Sequence, residues 1–157
     1  MKLSAHSYIE TAIKEIMSEI KKIYIASDHA GFDLKSLLIT SVSGFEFVDL
    51  GTNSKASVDY PDYAKLVAES IKDNDAYGIL LCGSGIGISI AANRYSHIRA
   101  ALCEDEERAK LARQHNDANV LVLAARFLEE DDAINIVKTF FSTKFLAGRH
   151  QDRVNKV

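Results

Sequence analysis

The chain has 157 residues, 26% of them charged and 47% hydrophobic, with a formal net charge of −3. A chain of this length suits one domain and buries roughly 70% of its unfolded surface; its acidic balance argues against a nucleic-acid partner, whose footprint is basic, and no apolar run approaches the ~18 residues a membrane span needs. Two cysteines, Cys82 and Cys103, are too few for a disulfide framework and fit a reducing compartment, the cytoplasm.

Residues 1–21 form a leading extension. Its apolar residues Tyr8, Ile9, Ala12, Ile13, Ile16, Met17 and Ile20 recur at helical spacing, which predicts a helix packed on the domain or on a partner subunit. Glu10, Glu15 and Glu19 interrupt it, so it lacks the apolar segment of a secretory signal. Ile23–Ala26 is then a short apolar strand running into polar Ser27–Asp28–His29, and Leu34, Leu37, Leu38 and Val42 mark a helix. Phe45–Asp49 reads as a second strand, closed by Leu50–Gly51–Thr52, and a loop through Asp59–Tyr60–Pro61 leads into a helix from about Asp62 to Lys72. Tyr77–Leu81 is a third strand, followed by Cys82–Gly83–Ser84–Gly85–Ile86–Gly87 and a small-residue helix over Ile88–Tyr95. A strand at about Arg99–Leu102, a charged helix from Glu104 to about Gln114, a strand at Val120–Ala124 and a helix over Glu130–Phe141 complete the pattern. Short apolar strands alternating with helices imply a parallel sheet covered on both faces. Ligands of such sheets bind beyond the carboxyl ends of the strands, where Asp28, His29, Cys82, Ser84 and the Cys103–Asp105 segment should lie.

Five groups of residues are candidates for chemistry. Gly83–Ser84–Gly85–Ile86–Gly87 follows a strand and opens a helix, so its N–H groups can face an anion. It lacks the Lys-Ser/Thr of a Walker A loop, and its G-x-G-x-G spacing departs from the dinucleotide fingerprint. Cys82, at a strand end facing a helix N-terminus, is either a thiolate with a lowered pKa or a small buried hydrophobe; Cys103 takes the second role. His115 and Asn116, in Arg113–Gln114–His115–Asn116–Asp117, either place a charge at the negative end of a helix or supply a proton shuttle and an oxyanion donor. Arg149 and Arg153, four apart, would clamp a phosphate if helical and are otherwise solvated surface. Asp28–His29 could equally be a turn with a helix cap.

Taken in order, five motifs resemble those of ribose-5-phosphate isomerase type B and the related galactose- and allose-phosphate isomerases. They are Ser27–Asp28–His29–Ala30–Gly31–Phe32, Asp59–Tyr60–Pro61, Cys82–Gly83–Ser84–Gly85–Ile86–Gly87 with Ser89–Ile90–Ala91–Ala92–Asn93, Arg113–Gln114–His115–Asn116–Asp117, and Gly148–Arg149–His150–Gln151–Asp152–Arg153. The resemblance implies a three-layer α/β/α sandwich with a five-stranded parallel Rossmann-like sheet, formed by one isomerase domain over residues 22–157 behind the helical extension. It also implies a homodimer or tetramer with sites at the subunit interface, a phosphorylated pentose as substrate, and no metal or organic cofactor. Cys82 would then be the base acting between C1 and C2, with no competitor at Ile86, where some relatives carry Glu. Ser84 would assist exchange on the substrate oxygens, and the N–H groups of Gly83–Gly87 with Asn116 would bind the enediolate. His115 with Asp28 would open the sugar ring, His29, Arg126, Arg149 and Arg153 would hold the phosphate, and Tyr60 would line the substrate pocket. A hexose-6-phosphate isomerase is the alternative within the enzyme class, and a non-catalytic phosphate- or nucleotide-binding module the alternative outside it.

Overall fold

Alternation along the strands divides the side chains into two layers. In the computed structural model, which describes residues 7–11, 14–15 and 22–157, the strands are β1 (Lys22–Ser27), β2 (Phe47–Asp49), β3 (Ala76–Cys82), β4 (Ala100–Leu102) and β5 (Val120–Ala124). They form one sheet in the order β2-β1-β3-β5-β4, with every pairing parallel. Ile23, Ile25, Ile79, Leu81, Leu121 and Leu123 face one layer, formed by α1 (Phe32–Ser41), α4 (Glu106–Asn116) and α5 (Glu130–Phe141). Ala26, Leu80, Cys82, Val120 and Val122 face the other, formed by α2 (Tyr60–Ser70) and α3 (Ile86–Ala92). The result is the expected α/β/α sandwich around a five-stranded parallel sheet.

The element bounds differ from the sequence reading where local chemistry intervenes. Strand β2 begins at Phe47 because Phe45 turns into the core against Phe141, ring centroids 5.4 Å apart. Helix α2 begins at Tyr60, since Pro61 sits in the first turn, where its missing N–H costs nothing. Helix α4 starts later than predicted because Asp105 caps it, accepting from the Arg108 N–H at 2.7 Å; it runs on to Asn116, so His115 and Asn116 lie in its last turn. In the extension, residues 7–11 and 14–15 are helical, with Tyr8 and Ile9 exposed, and the rest of that predicted helix lies outside the described residues. Among the described residues no helix is long and apolar enough to cross a membrane.

The chain leaves β1 toward β2 on one side and leaves β3 toward β4 on the other, so the sheet has its switch point between β1 and β3. The loop after β1 is pinned there. Asp28 Oδ1 accepts from the N–H groups of Ala30 (2.9 Å) and Gly31 (3.2 Å), forming a short 3-10 turn over His29–Gly31. The Asp28 N–H reaches the Leu81 carbonyl at 3.1 Å. The next loop is held by Lys35, fully buried, whose Nζ donates to Asp49 Oδ1 at 2.5 Å and to the Thr52 carbonyl at 2.8 Å. Gly31 lies so close to β3 that a Cβ would stand 2.7 Å from Leu81 Cβ and 2.9 Å from its carbonyl oxygen. Gly31→Ala is therefore expected to lower the urea midpoint by an amount equivalent to about 1–3 kcal/mol, as for other over-packed sites; an unchanged midpoint would show that the loop yields freely.

Candidate functional site

Cys82 ends β3 with its side chain on the α2/α3 side, 4% exposed. The loop that follows bends back over it because Gly85 adopts φ +74°, and the Gly85 N–H donates to Cys82 Sγ at 3.1 Å. A side chain at Gly85 would also collide with Leu102, whose Cδ1 would lie 2.4 Å from the new Cβ. Ser84 is exposed at the tip, its Oγ accepting from the Ile86 N–H at 3.3 Å. Within one chain the surroundings of Cys82 favour the thiol over the thiolate. Burial pushes the Cys82 thiol above its ordinary pKa; the Ile88, Gly85 and Ser84 N–H groups pull it down without compensating, and the Asp28 carboxylate adds to the rise. Cys103 has the buried, inert role expected of it, 1% exposed and with its pKa pushed up to about 12 by burial and Asp105.

Around Cys82 the structure gathers most of the predicted site. Asp28 is 7% exposed, and the two backbone N–H groups that its side chain accepts from both fall on Oδ1. His29 Nδ1 accepts from the Val58 N–H at 3.2 Å, which places the proton of a neutral ring on Nε2. Tyr60, at the start of α2, lies on Gly87, where a Cβ would meet its Oη at 2.8 Å. Arg126 follows β5, its guanidinium lying 2.9 Å from where a Gly83 Cβ would stand. Its N–H donates to the Gly83 carbonyl at 3.1 Å, and the Ala125 N–H to the Cys82 carbonyl at 2.9 Å. Exposed apolar side chains continue from this edge: Tyr60 and Leu66 on α2, Ile86 and Ile90 on α3, and Phe127 beyond β5.

His115, Asn116, Arg149 and Arg153 are not there. Helix α4 runs back against the strand direction for 11 residues, about 16 Å at 1.5 Å per residue, and delivers His115 and Asn116 to the amino-terminal edge of the sheet. They line a cavity of 790 Å³ there with Arg99, Arg149, His150 and Arg153, and among the described residues no carboxylate side chain lines it. The frame of this turn is structural. Arg113, 6% exposed, donates through Nη1 to Asp117 Oδ1 at 2.9 Å and to the Ala118 carbonyl at 2.6 Å. Asp117 takes φ +46° at the helix end, and Arg99 Nε donates to its carbonyl at 2.9 Å. The tail is tied to the same turn by the Leu146 N–H, which donates to the Gln114 carbonyl at 3.1 Å. Arg149, in a 3-10 turn, and Arg153, in the short helix α6 (Gln151–Val154), both line the cavity, although they do not share one helix.

The sequence reading passed over His150 in favour of the arginines beside it. Its ring stacks on that of His115, centroids 4.2 Å apart and planes within 15°. Burial, then the nearby His115, Arg149 and Arg153, hold His150 below the ordinary imidazole range. Within one chain, then, the predicted residues form two groups at opposite sheet edges. The pairing of Asp28 with His115 cannot form inside a single chain.

Comparison with known proteins gives a consistent relationship. The family model for Ribose/Galactose Isomerase matches residues 23–157. Ribose-5-phosphate isomerase B of Escherichia coli is 42% identical over 141 residues, spanning 88% of this chain and 95% of its own. The crystal structure of a ribose 5-phosphate isomerase from Thermotoga maritima superposes with a TM-score of 0.84 at 55% identity, over 87% of this chain and 96% of that one. Ribose-5-phosphate isomerase B from Mycoplasma genitalium, solved with bound ribulose-5-phosphate, gives 0.81 at 46% identity, over 86% and 92%.

The two thiols should behave differently toward an alkylating reagent. At pH 8 roughly one Cys103 in ten thousand is thiolate for a pKa near 12, so iodoacetamide is expected to label Cys82 and spare Cys103 in peptide mass spectra. Labelling of Cys82 should accelerate as pH rises, because its thiol must first lose the proton that burial retains. Equal labelling of both would contradict the environments described.

Proposed function

The chain belongs to the ribose/galactose isomerase family, and on that premise we propose that it interconverts D-ribose 5-phosphate and D-ribulose 5-phosphate at sites shared between two copies. The observation that carries this reading is the division of the site into two halves: a Cys82 edge rimmed by exposed apolar side chains, and a cavity lined by Arg99, Arg149 and Arg153 a helix-length away. A second copy whose cavity faces the first copy's Cys82 edge completes both sites at once, as a two-fold dimer requires. The pentose bound in the Mycoplasma genitalium relative supports the choice of substrate, and the two free thiols suit a reducing cytoplasm.

In the assembled site, His115 of one copy takes the anomeric hydroxyl proton and returns a proton to the ring oxygen, opening the ring, with the other copy's Asp28 orienting it. Cys82 takes the proton from C2 of the open aldose, and the C–H electrons form the C1–C2 double bond of an enediolate as the C1 carbonyl becomes an oxyanion. That oxyanion is met by the N–H groups of Gly83–Gly87 and by Asn116, donors worth roughly 3–4 kcal/mol each in comparable sites. The thiol then returns the proton to C1 while Ser84 helps the hydroxyl proton pass from O2 to O1, leaving the C2 ketone. His29, Arg126, Arg149 and Arg153 hold the phosphate, and Tyr60 closes the pocket wall over Gly87. The cavity's arginines bring positive charge toward Cys82, opposing the burial that holds it protonated in a single chain. No metal or organic cofactor takes part.

Turnover of ribose 5-phosphate is expected to survive EDTA and to vanish in Cys82→Ala. Ribulose 5-phosphate offers a second readout. Its C5 oxygen carries the phosphate, so it has no hydroxyl able to close a five-membered ring on C2 and stays open-chain. Cys82→Ala should lose solvent-deuterium exchange at its C1. His115→Ala should keep that exchange while kcat with saturating ribose 5-phosphate falls roughly 10²-fold or more; loss of both in His115→Ala would refute the division of labour. Mixed and refolded together, the two inactive variants should recover about a quarter of wild-type activity, since half the dimers then carry one intact site of two. No recovery would place both groups in one chain's site.

A further inference from the structure

His115 occupies the last turn of α4 and is half-buried, with its ring open to the cavity. An imidazole so placed has several staggered rotamers to choose from. Proton transfer at two oxygens of one sugar ring tolerates few of them, because displacement of a catalytic group by about 1 Å costs on the order of 10²-fold. The chain fixes His115 by a flat contact rather than a hydrogen bond: His150 covers one ring face, 4.2 Å between centroids and 15° from parallel. His150 is itself held firmly. It is 9% exposed, its N–H donates to the Ala147 carbonyl at 3.0 Å, and the segment before it is joined to α4 through Leu146 and Gln114.

The charges around the stack bear on the state of His150. Arg149 and Arg153 flank His150 from the tail, Arg99 lines the same cavity from beside β4, and Asp117 is engaged by Arg99 and Arg113. Two imidazolium rings in face-to-face contact repel, and burial beside arginines keeps the proton off His150. A neutral ring presents a π face to its neighbour, and a proton gained by His115 is stabilised there as a cation over that face.

From this contact we infer that His150 is a positioning residue for ring opening, a neutral platform that fixes His115 in plane and supports the positive charge His115 carries during proton transfer. The inference rests on the ring-opening role proposed for His115. It assigns His150 no contact with substrate, which separates it from the arginines on either side.

The test compares His150→Ala, His150→Phe and His115→Ala in the full-length protein, with circular dichroism and oligomer mass confirming the fold of each. His150→Ala should lower kcat with ribose 5-phosphate roughly tenfold while KM stays within about twofold and solvent-deuterium exchange at C1 of ribulose 5-phosphate is kept. His150→Phe, which retains a flat ring without a second titrating group, should recover to within about threefold of wild type. A raised KM at unchanged kcat in His150→Ala would overturn the proposal in favour of a phosphate contact. Equal loss in the Ala and Phe variants would overturn it as well. If His115→Ala keeps full kcat, the ring-opening reading itself fails; if His115→Ala behaves as proposed and His150→Ala matches wild type, only the platform fails. If the Ala variant misfolds, the Phe variant and a His150→Gln variant decide, the latter expected to show the kcat loss without the ring.

Discussion

In a parallel α/β sandwich every connecting helix runs against the strands, and this geometry governs where chemistry can gather. A residue at a strand's carboxyl end and a residue at the carboxyl end of the next helix are separated by the length of that helix. Cys82 closes β3, and His115 closes α4, which returns from the far end of β4. Shortening α4 would not bring them together without stripping the layer that Ala109 and Ala112 help to form against the sheet. If one substrate needs both residues, as proposed, a second copy would supply the missing one, and the exposed apolar side chains near Cys82 suit such a contact.

The Cys82 edge is under a second tension. Packing the thiol under Gly85 and beside Asp28 fixes its position, and the same packing holds its proton on. A thiol of raised pKa is a scarcer but stronger base, better matched to a carbon acid. In the proposed dimer, the arginine-lined cavity of the other copy would shift this balance toward thiolate.

Much of this organisation was legible in the residues. Strands such as Ile23–Ala26 and Val120–Ala124 announce themselves as short apolar runs, and the sandwich follows from their alternation with helices. The side of the sheet on which Asp28, His29, Cys82 and Ser84 lie also follows, because strand ends are readable and the switch point has a known edge. Other features depend on tertiary packing that no local pattern encodes. Phe45 looks like a strand residue until Phe141 draws it into the core. The rise of the Cys82 pKa comes from a depth of burial invisible in a Gly-rich loop. His150 sits between two arginines whose spacing attracts notice, and only the docking of the tail on α4 brings its ring flat against His115.

The basic cavity has one more consequence. Arg99, Arg149 and Arg153 line it, with no acidic side chain on its walls among the described residues, and of the three Arg99 is paired with Asp117, so the like charges of Arg149 and Arg153 oppose each other at a cost the remainder of the fold outweighs. A phosphate ester entering it removes that repulsion. Under the proposed function, the substrate's phosphate would therefore serve the tail arginines as a counterion as well as presenting the sugar for reaction.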